Sequence, residues 1–210
     1  MWQNLLGAAL AAVLAIAPSA APSASPDAGI GPSSGSAHAS AGAAERPADD
    51  DWRFWVRDQH RYTSPWYAGA HRKMISYGCT RAPYYAPDPR CTRDRGFHHG
   101  IDIAMRCGTR LFAGFGGWVV GPDTAGALGA AYGRKAFRLR NHRRGVDVVI
   151  GHVRRVYVAP GDRVRKGDLI ARASDDAAPD GCHLHFEVRP VRSGHESAVR
   201  PHPHLKLHRR

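Results

Sequence analysis

The chain has 210 residues, with 30 Lys and Arg against 18 Asp and Glu and a formal net charge of +12. That length holds one domain with its own core once low-complexity segments are set aside. The charge points to an anionic neighbour such as cell-wall polymers or lipid headgroups, and because no recognisable nucleic-acid module accompanies it, nucleic acid is not expected as a partner.

Residues 1–21 open with an apolar run (Leu5, Leu6, Leu10, Val13, Leu14, Ile16) followed by the small residues Ser19, Ala20 and Ala21. This reads as a secretory signal peptide. The run is shorter than the roughly 20 residues a spanning helix needs, so no stable membrane span is expected and a secreted, extracellular, wall-associated location is. Residues 22–50 are Ala, Ser, Pro and Gly without an aromatic. Such a segment buries too little apolar surface to offset its chain entropy and is expected to be a disordered linker.

Aromatic residues begin abruptly in the 51–73 extension, where Trp52, Phe54, Trp55, Trp66 and Tyr67 lie among Arg and His. Aromatics contribute chiefly by burial, so these are expected to pack over the core as a lid or extra layer. From 74 to 190, short β-prone runs recur at 73–77, 100–104, 111–113, 118–120, 136–140, 146–153, 169–173 and 183–189, most of them followed or interrupted by Gly. Long amphipathic helix patterns are missing. The expected fold is all-β: an antiparallel sheet or sandwich-like core with long loops. Residues 141–145 look like a hairpin turn, and 158–170 like tight hairpins with glycines at positive φ. The tail, 191–210, is rich in Arg, His and Pro and reads as a solvated extension.

Four cysteines in an exported chain imply two disulfides. Cys79 and Cys91 flank one loop, and Cys107 and Cys182 adjoin two runs that carry candidate ligands, so the preferred pairing is 79–91 and 107–182. No C-x-x-C motif occurs to favour a thiolate metal site.

Two clusters carry chemistry: His98-x-x-x-Asp102 and His183-Leu184-His185-Phe186-Glu187. On a strand, residues two or four apart share a face, so His98, Gly100 and Asp102 face one way, and His183 and His185 can meet them from a neighbouring strand. Two imidazoles and a carboxylate suit Zn²⁺, and three protein ligands leave a fourth position open, the arrangement of a catalytic rather than a structural site.

Taken in order, Phe97-His98-His99-Gly100-Ile101-Asp102, Cys107-Gly108-Thr109, Gly117-Trp118, Gly151-His152-Val153, the 158–170 hairpins and Gly181-Cys182-His183-Leu184-His185-Phe186-Glu187-Val188 resemble the lysostaphin/LytM-type zinc metallopeptidases, peptidase family twenty-three. The resemblance covers about 74–190. It implies a duplicated hybrid-motif β fold, one Zn²⁺ held by His98, Asp102 and His185, and His152 and His183 as catalytic histidines. It also implies peptidoglycan as substrate, cut at cross-link or stem peptide bonds. The chain departs from the pattern at Ile150, where an aromatic is usual, at Val153 in place of Leu, and at 174–180, which replaces a Gly/Ser/Thr-rich stretch at the groove. Two other readings are a noncatalytic wall-binding or amidase-regulating module of the same fold, and a protease of Gly-rich proteins.

Overall fold

The structure, a computed structural model, describes residues 52–210. The expected signal peptide and linker lie outside these residues. Fourteen strands form: β1 Arg61–Ser64, β2 Tyr67–Ile75, β3 Gly78–Thr80, β4 Gly96–His98, β5 Gly100–Ala104, β6 Arg110–Phe112, β7 Gly117–Val120, β8 Phe137–Asn141, β9 Val146–Gly151, β10 Val153–Arg154, β11 Arg163–Val164, β12 Leu169–Ala173, β13 His183–Pro190 and β14 His208–Arg209. All pairings between them are antiparallel, in the order β10-β12-β6-β2-β5-β13-β9-β8-β7-β11, with β1 paired to β2, β14 paired to β1, and β3–β4 as a separate hairpin. The fold is thus all-β, as the Gly-punctuated runs predict.

Strict alternation divides the central strands between two tasks. Leu184, Phe186 and Val188 of β13, Ile101 and Ile103 of β5, Val148 and Ile150 of β9, and Phe137 and Leu139 of β8 join one hydrophobic core. Their neighbours on the opposite face are polar: His183, His185, Glu187, Arg189, Asp102, Asp147, Arg138 and Arg140, all buried. Each large core side chain contributes about 1.5–3 kcal/mol, and a one-residue slip would exchange the two faces. The core therefore fixes the register that sets the site: His185 opposite Asp102, Glu187 opposite Gly100 and opposite Val149.

The 141–145 turn forms as expected. Asn141 accepts the Arg144 N–H through its side chain, and Gly145 closes the turn at φ 65°. The single run expected over 146–153 is instead broken at His152, which adopts φ 53° between β9 and β10.

The sheet extends beyond the expected 74–190 limits at both ends. Trp66 is fully buried in the main core, edge-on to Phe115 and Phe186. Trp52, Phe54 and Trp55 cover a second cluster around Met74, Ile75, Ala82 and Ala104. The tail, expected to be solvated, folds back. Leu205 is buried, β14 pairs with β1, and the carbonyls of His204 and Leu205 accept from Trp66 Nε1 and Ser64 Oγ. Two leucines among the Arg, His and Pro residues, together with these buried donors, give the tail an apolar and a polar anchor that its composition hides. Among the described residues, no helix is long and apolar enough to cross a membrane.

Candidate metal centre

Asp102 lies in β5, His98 ends β4, and His185 stands directly across from Asp102 on β13. Their side chains converge in a buried spot where Asp102 Oδ1 is 2.9 Å from His185 Nδ1 and 3.3 Å from His98 Nε2. The two ring nitrogens are 3.1 Å apart, and one donor atom from each of the three residues lies within 4.8 Å of the others.

The outer nitrogen of each ring has an acceptor of its own. His98 Nδ1 meets the Ser76 carbonyl at 3.2 Å, and His185 Nε2 meets Glu187 Oε2 at 3.2 Å. A carbonyl or carboxylate oxygen only accepts, so the outer nitrogen of each ring carries N–H, the outer-shell arrangement that orients metal-binding imidazoles. The inner His185 Nδ1 also faces a carboxylate, Asp102, and must give up a proton before it can bind a metal. Glu187 is itself fixed by Arg189 Nε and by the Tyr132 hydroxyl, which donates at 2.9 Å. Arg189 also donates to Tyr132 Oη at 2.8 Å and to the Gly126 carbonyl at 3.1 Å, and Arg138 holds the Ala125 and Thr124 carbonyls at 2.7 and 2.9 Å. These arginines secure the loop that brings Tyr132 to the site.

Gly100 allows this close approach. A Cβ there would lie 2.6 Å from His185 Cε1 and 2.8 Å from the Phe186 carbonyl. No side chain fits.

His152 and His183 lie beside the three converging residues, with rings 4.4 Å apart. His183 Nδ1 meets the Gly181 carbonyl at 2.8 Å, and His152 Nδ1 meets the Asp176 carbonyl at 2.8 Å. Both rings therefore carry their proton on Nδ1 and keep a bare Nε2. His183 Nε2 is 3.7 Å from Asp102 Oδ1, buried and without a hydrogen-bond partner. The left-handed backbone of His152 is held by its N–H to the Tyr132 carbonyl and by Ser174 N–H to its own carbonyl, each 2.8 Å.

Electrostatics separate the histidines. Burial, and then the neighbouring rings of His183 and His185, push His152 down to about 3; burial also lowers His183, so both rings are neutral. Burial opposes charge on His185 too, but hydrogen bonds to Asp102 and Glu187 outweigh it and raise the ring to about 9. Asp102 is driven well below the usual carboxylate range: burial works against ionisation, and His98, His183 and His185 overcome it.

The open side of this arrangement is a cleft of about 380 Å³, lined by Tyr85, His98, His99, Tyr132, His152, His185, Glu187 and His195 among others. His183 lies behind His152 and does not line it. His99 sits at the bend between β4 and β5 rather than on a continuous strand, stacks edge-on to His195 and accepts from Arg90 at 3.0 Å. Disulfides join Cys79 to Cys91 and Cys107 to Cys182, with Cα–Cα distances of 5.6 and 5.2 Å. The first closes the loop that carries Tyr85; the second ties the end of β5 to the start of β13.

All five histidine and aspartate candidates read from the sequence come together. The sequence reading gives no role to Glu187, although it closes the second cluster, nor to Arg189, Tyr132 or Tyr85. Glu187 and Arg189 were within reach of the same reasoning, since they continue the face of His183 and His185 at a spacing of two. Tyr132 and Tyr85 arrive on loops without a local signal. Ile150, where an aromatic is usual, belongs to the hydrophobic core. The unusual 174–180 loop supplies the Asp176 carbonyl to His152 and the Asp180 carboxylate to Trp55 and Tyr84.

The antimicrobial peptidase lysostaphin from Staphylococcus simulans superposes with a TM-score of 0.53 at 24% identity, over 70% of this chain and 54% of its own. This chain thus spans about half of that protein, and the likeness is one of fold. The lysostaphin catalytic domain, crystallised in the absence of phosphate, gives 0.49 at 25% identity over 65% of this chain and 92% of that domain. The catalytic domain of the prophage-encoded M23 protein EnpA from Enterococcus faecalis gives 0.48 at 22% identity, over 66% and 94%. The model of Peptidase family M23 matches residues 96–201, half of the chain, which include every histidine and aspartate of the converging set. The chain belongs to peptidase family M23.

Proposed function

We propose that the protein is an exported zinc-dependent metalloendopeptidase that hydrolyses peptide bonds in peptidoglycan, in cross-links or stem peptides. The observation that carries this reading is the inward convergence of three metal-ligand atoms beside two neutral histidines with bare Nε2 atoms. The donor set fits the ion. Two nitrogens and one carboxylate oxygen leave a position open, and both imidazoles are oriented from outside. His98, Asp102 and His185 would hold the zinc, which when bound supplies Lewis acidity and lowers the pKa of a water to about 7.

The chain's own residues supply the proton traffic. His183 Nε2, buried beside Asp102 without another partner, accepts the proton of the attacking water. His152 lines the cleft and faces the substrate; its ring lies 4.4 Å from that of His183, from which its bare Nε2 takes up the same proton and passes it to the leaving amine. Their Nδ1–H bonds to backbone carbonyls fix the tautomer each role requires. The excess of Lys and Arg draws the protein to a polyanionic wall.

The test is incubation of purified protein with defined muropeptides, followed by mass spectrometry of the products. Zinc-dependent appearance of new amino termini is expected, and chelation should abolish it. Asp102→Ala should lose zinc, whereas His152→Ala should keep it and lose about 10²–10⁴ in kcat. Wall association without new termini, or hydrolysis indifferent to chelators, would overturn the reading.

A further inference from the structure

The polar face of the sheet continues past the metal centre in one cross-strand row. Arg189 on β13 is opposite Asp147 on β9, Asp147 opposite Arg140 on β8, Arg140 opposite Trp118 on β7, and Trp118 opposite Arg163 on β11. The inner members neutralise one another: Arg140 makes a bidentate pair with Asp147 at 2.7 and 2.8 Å, and both are buried. The outer members do not. Trp118 is 47% exposed, one of the few large apolar side chains on the surface, and the Arg163 guanidinium lies 5.8 Å from its ring centre.

A groove of about 550 Å³ runs beside this pair, lined on its other side by Arg143 from the β8–β9 turn and by Arg165 and Lys166 from the turn after β11. No carboxylate lines it. The ion pairs of the described residues use Asp58, Asp88, Asp147, Asp176 and Glu187 for arginine and lysine, and none reaches Arg143, Arg163, Arg165 or Lys166. The acids nearest in sequence, Asp162 and Asp168, are exposed but each accepts a backbone N–H within its own turn, from Ala159 and Arg165.

We propose that this groove is a second binding site, for a phosphodiester-linked polyol or sugar polymer, separate from the cleft that holds the metal ligands. Three guanidiniums and an ammonium match anionic phosphates repeated along a chain, guanidinium in a bidentate fork. The exposed indole offers an apolar face for the C–H surface of a ring or polyol. Binding of single-stranded nucleic acid uses several aromatic platforms for successive bases, whereas this groove has one large aromatic side chain, Trp118, with the smaller imidazole of His142 also in its lining. Three strand spacings and four residues along the strand place the groove roughly 20 Å from His185 on the same face of the sheet. A polymer held there leaves the cleft free for an attached or neighbouring peptide.

The test is titration of the full chain, in chelator so that no hydrolysis intervenes, with poly(glycerol phosphate), polygalacturonate, neutral dextran and single-stranded DNA. The polyol phosphate should bind tightest, with log K falling against log salt at a slope of roughly −3 for about four neutralised phosphates. Replacing Arg143, Arg163, Arg165 and Lys166 by Ser should weaken binding at least tenfold and flatten the slope. Trp118→Ala should weaken it without changing the slope. Removing the same charge elsewhere, from Arg57, Arg93, Arg200 and Arg209, should change affinity less than threefold. Equal losses from the two charge sets would overturn a localised site. Equal or tighter binding of polygalacturonate, or of DNA, would overturn the phosphodiester polyol as ligand, and absence of binding by the parent chain would overturn both. Because chelator is present throughout, these outcomes do not depend on whether the protein is a peptidase.

Discussion

Replacing Glu187 by Gln separates what holds the metal centre from what holds the fold. The carboxylate is fully buried and has two duties: it accepts from His185 Nε2 at 3.2 Å, and it neutralises the Arg189 guanidinium. An amide of the same shape removes the charge behind His185 and frees the ring to lose its orientation. Loss of such an outer-shell partner typically costs 10–100-fold in metal affinity, which at about 1.4 kcal/mol per factor of ten is roughly 1.4–2.8 kcal/mol. Arg189, 1% exposed, is left as a buried charge without its partner. That costs about 3–5 kcal/mol of stability, reduced here because Tyr132 and Gly126 still accept from it. The double variant Glu187→Gln/Arg189→Met removes the stranded charge. It should recover most of the stability and none of the zinc affinity. Chelator-competition titration measures the zinc affinity, and urea unfolding of the metal-free protein measures the stability. A Glu187→Gln protein that binds zinc within twofold of the parent would refute the orienting role, and so would a double variant whose affinity recovers along with its stability.

Gly100→Ala places a methyl 2.6 Å from His185 Cε1 and against the Phe186 carbonyl, so the ring or the β5–β13 register must shift. Overpacking of about 1–3 kcal/mol is expected, together with loss of zinc binding in titration, since ligand distances tolerate only about 0.2 Å. Zinc affinity should rise with pH up to about 9, because the raised His185 ring holds a proton that the metal must displace. In chelator the sign reverses. The stability from protonated His185 is complete below the unfolded value of about 6.5 and is lost as pH rises through about 9, so the urea midpoint should fall across that window. Replacing Cys107 and Cys182 by Ser opens a loop of 75 residues and should cost about 4.5 kcal/mol by the chain-entropy relation. The same pair of substitutions should speed zinc release in stopped-flow chelation, because the bridge joins the two strands that carry Asp102 and His185.

Much of the site could be read from the sequence because strands encode facing directly. The i, i+2 spacing of His183 and His185 survives folding on β13, whereas the strand expected to carry both His98 and Asp102 breaks at His99, leaving His98 on β4 and Asp102 on β5. Contacts made through the backbone could not be read. The carbonyls of Ser76, Gly181 and Asp176 choose the tautomers of three histidines, and any residue type can provide a carbonyl. Tyr132 and Tyr85 come from long loops whose paths depend on distant arginines and a disulfide. At the ends of the domain, composition misled for a related reason. Leu205 anchors the tail in a setting of Arg, His and Pro, and Trp66 enters the core from a segment that reads as an extension.

The division of β13 between a chemical face and a core face also sets limits on how this protein can diversify. Point substitutions at 184, 186 and 188 are matters of packing, and those at 183, 185, 187 and 189 are matters of chemistry. The two sets can vary independently as long as parity is kept. A single inserted or deleted residue within the strand would send histidines into the core and Phe186 into the cleft, so the segment tolerates replacement but not a change of length. New substrate preference is therefore open to lineages through the 121–136 and 174–180 loops, where length can drift while the parity of the sheet stays fixed.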